Sequence, residues 1–471
     1  MRERRVAAPK RTGVEQLQRE MMAKRRHASK RSRALCRASV ASFGLILAHS
    51  PSTLNAQSQS SDTEPVRSLD QRFSEEIGGV QDDALYDTNV DLRTASFAVG
   101  GDSSGAKRAR GVFAKLTAGW VYDDNVLRIG RRGESDDRFR IAPTIGYEQD
   151  FGQHRAKVSY EGEYNSYWSM SDENTADHKL QFEGDFTLHK KLKALLRSRY
   201  EVSNEKRGDR IGRVQRDAVP DSREDISFAG DLTLGRRIAI AQVRARGEYT
   251  QTRYTNNNQG VRDIDVWGSG LTGFYNFGPK LSAFIEGNYT ILGYRSGLNL
   301  DGWEKSVFAG VRWEATAKTQ GEFKIGRRKR SFADKNIDSV LGTSWDLKVL
   351  WEPRANNQVQ FFSMQTGEES AENGGAQQNR QFGALWDFAF DERWSMTSEV
   401  TIDFTSASPD TSGSDTTITA GTMFTYEIDR GLAVQAGVRR TVRESADRQN
   451  DFKNHTLSLE FVAEYPQLSS E

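Results

Sequence analysis

The feature that most constrains this chain is a two-residue alternation of apolar and polar side chains along unusually long segments. From Val112 to Tyr122 every second residue is apolar, and the pattern returns at residues 139–147 and 156–168. Successive side chains of a β-strand point to opposite faces, so a period of two residues predicts strands. These strands are roughly 11 to 14 residues long, whereas strands of soluble proteins usually have about 5 to 6.

The length of these strands and their aromatic residues indicate a membrane environment. A tilted strand needs about 9 to 11 residues to cross the hydrocarbon layer, with aromatic residues at both interfaces. Trp120, Tyr122, Tyr147, Tyr164 and Trp168 lie where such aromatic girdles belong. One face of each strand is uncharged and the other carries many charges, which predicts a transmembrane β-barrel.

The connections between strands give an independent test of this interpretation. Short turns such as residues 150–153 alternate strictly with longer polar loops such as residues 203–223. Outer-membrane barrels have short periplasmic turns and long external loops. The predicted fold class is therefore all-β, an antiparallel up-and-down transmembrane β-barrel of about 18 strands (range roughly 16–20) over residues 112–465. With this alternation, both ends of the barrel lie on the periplasmic side.

The sequence pattern leaves the facing of one strand ambiguous. The facing of residues 263–277 stays open, because Ile264 and Val266 place the apolar side chains on one face, whereas Trp267, Leu271 and Tyr275 place them on the other.

The spacing of the hairpins raises one alternative fold. A hairpin recurs roughly every 39 residues, close to the blade period of a β-propeller. Propeller blades, however, place about four short strands in that length, and here two long strands fill it.

The N-terminal residues 1–56 are predicted to be an export signal. The region holds thirteen Lys and Arg against three Glu, followed by a short apolar run at residues 38–48 and a plausible cleavage point at Ala56. The apolar run is too short to span a membrane. Met21 or Met22 is an alternative start, because the basic region is unusually long. A nucleic-acid-binding arm is disfavoured, since such an arm has no reason to end in an apolar core.

Removal of this signal changes the charge balance of the chain. The remainder has 53 Lys and Arg against 62 Asp and Glu, a net charge of −9, which argues against a nucleic-acid partner. The one cysteine, Cys36, lies within the signal, so the mature chain needs no disulfide. A mean hydropathy of −0.70 and the lack of any run of about 18 apolar residues exclude a helical membrane protein. Residues 57–111 are interpreted as a periplasmic tail or a partial plug, and residues 466–471 as a C-terminal tail.

Four stretches resemble the opening strands of a known family. They are residues 119–126 (GWVYDDNV), 141–147 (IAPTIGY), 160–167 (YEGEYNSY) and the pair Asp177-His178. The chain resembles the β-barrel porins of Gram-negative outer membranes that are often associated with exopolysaccharide or capsule synthesis. The resemblance is specific over residues 112–188, and from there to Tyr465 it consists mostly of pattern and length.

The resemblance implies an outer-membrane pore through which a newly made polysaccharide leaves the cell. The implied partners are outer-membrane lipids and lipopolysaccharide, the polysaccharide itself and periplasmic export machinery. One departure from the family pattern concerns the C-terminus. Barrels of this kind usually finish on an aromatic residue that the outer-membrane assembly machinery reads, whereas residues 466–471 follow Tyr465 here.

The polar faces of the strands supply the candidate functional residues. About 18 strands leave an aqueous channel, whereas eight strands are filled by side chains. Charges of both signs occur on neighbouring strands, which fits either a hydrated, salt-bridged wall or a surface that selects a charged or hydroxyl-rich glycan. The candidate pore-lining residues are Arg138, Arg140, Lys157, Glu161, Glu163, Arg197, Arg199, Arg244, Arg246, Arg312, Lys324, Arg328 and Arg330.

Catalytic and metal sites find little support. The mature chain has four histidines and no Gly-x-Ser-x-Gly elbow, His-Glu-x-x-His motif or phosphate loop, so we predict no enzyme activity and no cofactor. His178 beside Asp177 is the one pair with catalytic potential, and a lone exposed histidine is the favoured interpretation. Residues 123–125 (Asp-Asp-Asn) are interpreted as turn formers rather than as a calcium site.

Two groups of cations lie near predicted outer strand ends. They are residues 327–330 (Arg-Arg-Lys-Arg) and the loop residues Arg207, Arg210, Arg213 and Arg216. Such cations fit lipopolysaccharide phosphates or an acidic polymer, because arginine binds such groups in a bidentate manner. Solvated loop charge is the alternative. Three functions therefore stay open: an exopolysaccharide export pore, a general small-solute porin, and a barrel that serves as adhesin or scaffold.

Overall fold

The computed structural model describes residues 111–465 except 131–132, 206, 208–218, 237–238, 296–299, 317, 370–375, 408–413 and 447. The predicted signal, nearly all of the predicted segment 57–111 and the C-terminal tail lie outside the described residues. The described part is almost entirely β-strand, with three short 3-10 helices at Ser171–Glu173, Gln259–Arg262 and Arg448–Asn450. It contains no helix that is long and apolar enough to cross a membrane.

Eighteen strands of 13 to 16 residues follow one another along the chain. They are β1 (Gly111–Asp123), β2 (Asp136–Phe151), β3 (His154–Tyr167), β4 (Thr175–His189), β5 (Leu192–Asn204), β6 (Ser222–Leu234), β7 (Ala241–Tyr254), β8 (Ile264–Gly278), β9 (Leu281–Tyr294), β10 (Gly302–Thr316), β11 (Thr319–Phe332), β12 (Val340–Arg354), β13 (Asn357–Glu369), β14 (Ala376–Ala389), β15 (Trp394–Ala407), β16 (Ser414–Asp429), β17 (Leu432–Glu444) and β18 (Phe452–Tyr465).

The sheet closes on itself. Each strand pairs antiparallel with its neighbours in sequence, and β1 pairs with β18 from Ala114↔Tyr465 to Asp123↔Thr456. Closure removes the two open edges that a flat sheet would expose, which is what a strand structure in lipid requires. The predicted closed antiparallel barrel of about 18 strands is thus confirmed. Successive strands run in opposite directions, so the β1–β2 connection and every second connection after it lie at one rim. The other connections, most of which are tight turns, lie at the opposite rim.

The apolar side chains of the alternating pattern point out of the barrel. Leu116 is 44% exposed and Ile145 is 52% exposed, although both are large and apolar. Tyr160 and Phe186 lie on the same outward face, in register with Leu180 and Ala194 of the next strands. Side chains of this kind do not form a common dry interior, so the barrel presents its apolar surface outward, as a lipid-embedded barrel does.

The structure also assigns the facing of β8, which the sequence left open. Trp267, Leu271 and Tyr275 are exposed on the outer surface, whereas Ile264 and Val266 are fully buried on the inner side. Ile264 and Val266 pack with Leu292 of β9 near the rim that carries the longer loops. The conflict in the pattern thus reflects a small apolar cluster on the inner wall rather than a break in the strand.

Candidate pore wall

All thirteen candidate residues lie on the inner face of the barrel, opposite the exposed apolar side chains. Arg138 and Arg140 are buried, whereas Phe139 between them is 48% exposed. The same alternation places Arg197 and Arg199 inward in β5. It does so equally for the other members, which are Lys157, Glu161, Glu163, Arg244, Arg246, Arg312, Lys324, Arg328 and Arg330. That these residues line a conducting path stays a prediction.

Most of these charges are paired on the wall itself. Buried or partly buried ions are costly unless they are paired and hydrogen-bonded, so a folded barrel with many inward charges needs such partners. The ion pairs join Arg138 to Asp123 (3.8 Å), Glu161 to Lys179 (3.8 Å), Arg197 to Asp231 (3.1 Å), Arg199 to Glu201 (3.7 Å), Arg246 to Glu248 (3.2 Å), Arg312 to Glu322 (2.6 Å), Lys324 to Glu286 (3.1 Å) and Arg328 to Glu304 (2.9 Å).

Arg140 holds the seam of the barrel together. Its guanidinium donates from Nη2 to Oε2 of Glu163 on β3 at 2.8 Å and from Nη1 to Oε1 of Glu460 on β18 at 3.1 Å. The bond to Glu460 passes over β1, where Gly119 is the register partner of both residues. A Cβ atom at Gly119 would lie 2.7 Å from Cγ of Glu460 and 2.3 Å from the carbonyl oxygen of Leu459. Glycine at this position therefore leaves room for the bond.

A second ion pair on the wall uses the same arrangement. Arg439 on β17 reaches Glu399 on β15, with Nη2 2.6 Å from Oε1, and Gly421 of the intervening β16 is in register with both. A Cβ at Gly421 would lie 3.3 Å from Oε1 of Glu399, so this opening is wider than that at Gly119. Cation, glycine and carboxylate on three consecutive strands thus form a repeated wall element.

Several aromatic side chains also face inward beside cations of the wall, and the sequence analysis did not identify them. Arg244 and Arg312 lie over the ring of Phe274, 5.2 and 5.1 Å from its centroid, and that ring lies 5.5 Å from the ring of Phe284. Lys324 lies 5.2 Å from the centroid of Phe308. Cations over ring faces are stabilised by the ring quadrupole. For Phe284 and Phe308 the two-residue alternation is a usable signal, because Phe284 lies between Ala283 and Ile285 and Phe308 lies between Val307 and Ala309, which belong to the outward apolar series.

The other candidate cations and acids also have partners on the inner wall. Lys157 lies over the ring of Phe113, 5.3 Å from its centroid, and Arg330 donates from Nη2 to the carbonyl oxygen of Leu300 at 3.2 Å. The inner face therefore combines paired charges, cation–aromatic contacts and backbone acceptors. Such a wall is polar and carries charges of both signs, rather than a field of one sign.

The Asp123-Asp124-Asn125 turn closes the seam at the loop rim. Asp123 accepts hydrogen bonds from the backbone N–H of Asn125 (2.9 Å) and from Nη1 of Arg128 (3.2 Å), and it also pairs with Asn454 of β18. Asp124 accepts from His455, whose Nδ1 lies 2.7 Å from Oδ2. Acidic and amide side chains that bond to their own backbone and to the next strand act as turn formers.

Asp177 and His178 do not form a catalytic pair, because neighbouring residues of β4 point to opposite faces. Asp177 accepts from the backbone and side-chain amides of Asn204, at 2.9 and 2.7 Å. His178 points outward, where its Nδ1 lies 2.9 Å from the hydroxyl of Tyr160. Tyr164 packs edge-on against the same imidazole. Across the described residues, no group of three or more His, Cys, Asp or Glu side chains is arranged to hold a metal ion.

The two groups of cations near the outer strand ends have different surroundings. Arg207 forms a bidentate ion pair with Glu173, donating from Nε at 2.9 Å and from Nη2 at 2.6 Å, so its charge is neutralised within the loop region. Arg210, Arg213 and Arg216 lie outside the described residues. The run 327–330 is divided by the strand alternation, with Arg328 and Arg330 inward and Arg327 and Lys329 outward.

Comparisons with known proteins agree with a porin-like barrel. Residues 111–465 match the model of a family described as "Putative beta-barrel porin 2". The chain matches no curated protein. Among solved structures it is similar to OccK3 (OpdO) of Pseudomonas aeruginosa, with 12% identity, a TM-score of 0.42, and coverage of 75% of this chain and 96% of that chain.

Two further solved structures show comparable similarity. OccAB3 of Acinetobacter baumannii is 10% identical with a TM-score of 0.39, and the match covers 75% of this chain and 99% of that chain. The FrpB iron transporter of Neisseria meningitidis (F5-1 variant) is 10% identical with a TM-score of 0.43, over 76% of this chain and 68% of that chain.

Proposed function

The chain belongs to the porin family whose model matches residues 111–465, and we propose that its pore exports an exopolysaccharide or capsular polysaccharide across the outer membrane. Family membership supports a channel-type barrel of the outer membrane. The cargo is the further step, and it is supported by the resemblance of the opening strands and by the chemistry of the inner wall.

The observation that carries the proposal is the ion-paired inner wall. Arg140, Arg312 and Lys324 each have a carboxylate partner within 3.1 Å, so the wall offers little unbalanced charge to a passing solute. Transport requires binding that is strong enough for entry and weak enough for exit. A wall of paired charges provides many weak donors and acceptors, which suits a hydroxyl-rich chain that must slide over a long distance.

A second candidate is a general porin for small hydrophilic solutes. The family description favours it, because it names a porin and no cargo. A paired wall also suits small neutral or zwitterionic solutes, since neither sign of charge is held strongly. The two candidates differ in the size of the cargo and in what accumulates when the channel is missing.

Deletion of the gene tests the cargo directly. If the protein exports a polysaccharide, the deletion strain loses surface polysaccharide, and the polymer accumulates inside the outer membrane until the wild-type gene restores export. Unchanged surface polysaccharide contradicts export. Planar-bilayer recordings of the purified barrel then separate the remaining functions, because a small-solute porin conducts ions whereas an adhesin or scaffold with a closed lumen does not.

A further inference from the structure

A group of three cations lies on the outer surface of the barrel, where apolar side chains are expected. Arg327 and Lys329 of β11 point outward, and so does Lys305 of β10, the register partner of Lys329. All three are exposed. We call them the outer basic patch.

The outer basic patch lies at the level of the bilayer interface. Lys305 and Lys329 are three residues from the loop ends of their strands, and Arg327 is five residues away. With the usual rise and tilt of barrel strands, these positions are about 8 and about 13 Å below the ends. Along the outward face of β11, Arg327 is the next residue after Ile325 in the direction of the longer loops. Ile325 pairs with Trp345 of β12. Tryptophan marks the interface in outer-membrane barrels, so the patch lies just above the apolar belt.

The protein itself does not neutralise these three charges. Within the described residues, Lys305, Arg327 and Lys329 form no ion pair with a carboxylate, and Lys305 Nζ lies 5.6 Å from the centroid of the Tyr289 ring. The outward register partners of Arg327 are Val307 and Thr343, and neither is acidic.

Other outward cations near the loop rim have a different environment. Arg253 of β7 donates to Oδ1 of Asp265 on β8 at 2.5 Å, and Arg295 Nε lies 3.5 Å from Oδ2 of the same carboxylate. Lipid-facing cations destabilise a barrel, by an amount that falls towards the interface. Asp265 offsets that cost for Arg253 and Arg295, whereas the outer basic patch needs an anion from its surroundings.

We propose that the outer basic patch binds the phosphorylated sugar headgroup of lipopolysaccharide in the outer leaflet. The rim with the longer loops is the external one in outer-membrane barrels, and the lipid that surrounds that rim carries phosphate groups at the interface. Arg327 provides a planar guanidinium that matches phosphate geometry, and the two lysines provide flexible point charges. Three cations on two adjacent strands fit a single anionic headgroup and leave the acyl chains against the apolar belt below.

The test measures lipid binding by the purified full-length barrel in detergent, so its outcome does not depend on the cargo. The probes are lipopolysaccharide that carries its headgroup phosphates and the same lipopolysaccharide after phosphatase treatment. The patch variant combines Arg327→Gln with Lys329→Gln. The control for a single cation is Arg253→Gln, which removes an outward guanidinium that is already bound by Asp265 and by the carbonyl oxygens of Thr252 and Ile264. It is compared with Lys305→Gln, which removes one cation of the patch. Heat-dependent gel mobility verifies that each variant is folded.

We expect the patch variant to bind phosphorylated lipopolysaccharide about 25-fold more weakly than wild type, taking about fivefold for each basic residue at an anionic surface. Phosphatase treatment weakens binding to wild type by a similar factor. The control variant stays within about twofold, because the Arg253 guanidinium is already bound within the protein. Lys305→Gln alone produces about a fivefold loss.

Three results would overturn the proposal. They are equal losses in the patch and control variants, binding that does not respond to phosphate removal, and full displacement of the lipid by inorganic phosphate. The last result would indicate a site for small anions rather than for a lipid headgroup.

Discussion

Arg140 on β2 donates a hydrogen bond to Glu460 on β18 across the intervening strand β1, and Gly119 is the residue that leaves space for it. The side chains are almost fully buried, with 5% of Arg140 and 2% of Glu460 exposed. The bond joins residues 320 positions apart in the sequence. It therefore ties the beginning of the barrel to its end on the pore side of the seam.

Substitution of Arg140 by methionine is expected to destabilise the barrel strongly. The variant leaves Glu163 and Glu460 without their shared cation, and removal of one partner of a buried pair costs about 3–5 kcal/mol. Urea unfolding followed by gel mobility measures the loss, which should be largely recovered when Glu460→Gln is added. A free energy of unfolding equal to that of wild type would contradict the role of Arg140 in the seam.

The two glycines of the wall predict a graded response to added side chains. Gly119→Ala places a Cβ 2.3 Å from the carbonyl oxygen of Leu459, so the seam must shift. At Gly421 the nearest contacts of an added Cβ are Oε1 of Glu399 at 3.3 Å and the carbonyl oxygen of Val438 at 3.4 Å. We expect about 1–3 kcal/mol of destabilisation for Gly119→Ala, as for other overpacked sites, and less for Gly421→Ala. Thermal unfolding of the two variants tests the order, and the reverse order would be incompatible with these contacts.

Reversal of charge at Arg197 and Arg199 is expected to change ion selectivity. Arg197→Glu with Arg199→Glu removes the arginine partners of Asp231 and Glu201 on the inner face and adds two carboxylates beside them. The preference for potassium over chloride should rise about two- to fivefold, because fixed charges in a pore select counter-ions. Reversal potentials in planar bilayers give the ratio. Arg327→Glu with Lys329→Glu, on the outer face, is the control, and an unchanged ratio in the inner variant would show that these arginines do not line the conducting path.

The turn before β15 is expected to weaken in acid. The backbone N–H groups of Arg393 and Trp394 donate to Oδ1 of Asp391 at 2.8 Å each, and these bonds lower the pKa of the carboxyl below its usual value of 3.8. Because the pKa is lower in the folded state, the stabilisation is present above the unfolded value and is lost as the pH falls through the folded one. Comparison with Asp391→Asn, which keeps an acceptor oxygen, isolates this contribution. NMR titration of Asp391 measures it directly, and a pKa above 3.8 would refute the bonding pattern.

The number, order and facing of the strands were predictable from the sequence because they depend on the local alternation of apolar and polar residues. Leu116 and Ile145 occupy the outer face as the pattern predicts. The exception was β8, where Ile264 and Val266 form part of an inward apolar cluster with Leu292. A period of two residues indicates which residues share a face of a strand. Where a strand carries apolar residues on both faces, as β8 does, the period does not indicate which of the two faces is the outer one.

The partners of the wall residues were less predictable, because they depend on the register between strands. The sequence analysis named Arg140 as a candidate residue but did not name Glu460, because nothing in the local sequence relates a residue on the second strand to one on the last strand. The contacts of Arg244 and Arg312 with Phe274 were not predicted for the same reason, although both arginines were named. For the basic run, alternation alone was sufficient to separate Arg327 from Arg328, but the neighbouring Lys305 becomes visible only when β10 and β11 are aligned.

The pairing of β1 with β18 has a consequence for biogenesis. One edge of the first strand can pair with its final neighbour only after the last strand has been made. Until the two strands pair, their edges expose backbone groups that can join strands of other chains. The polypeptide must therefore be kept apart from other chains throughout its transit, and its insertion is expected to proceed as a late, all-or-none event rather than hairpin by hairpin. A version that lacks its final strand should be degraded or aggregate, however well its other seventeen strands are encoded.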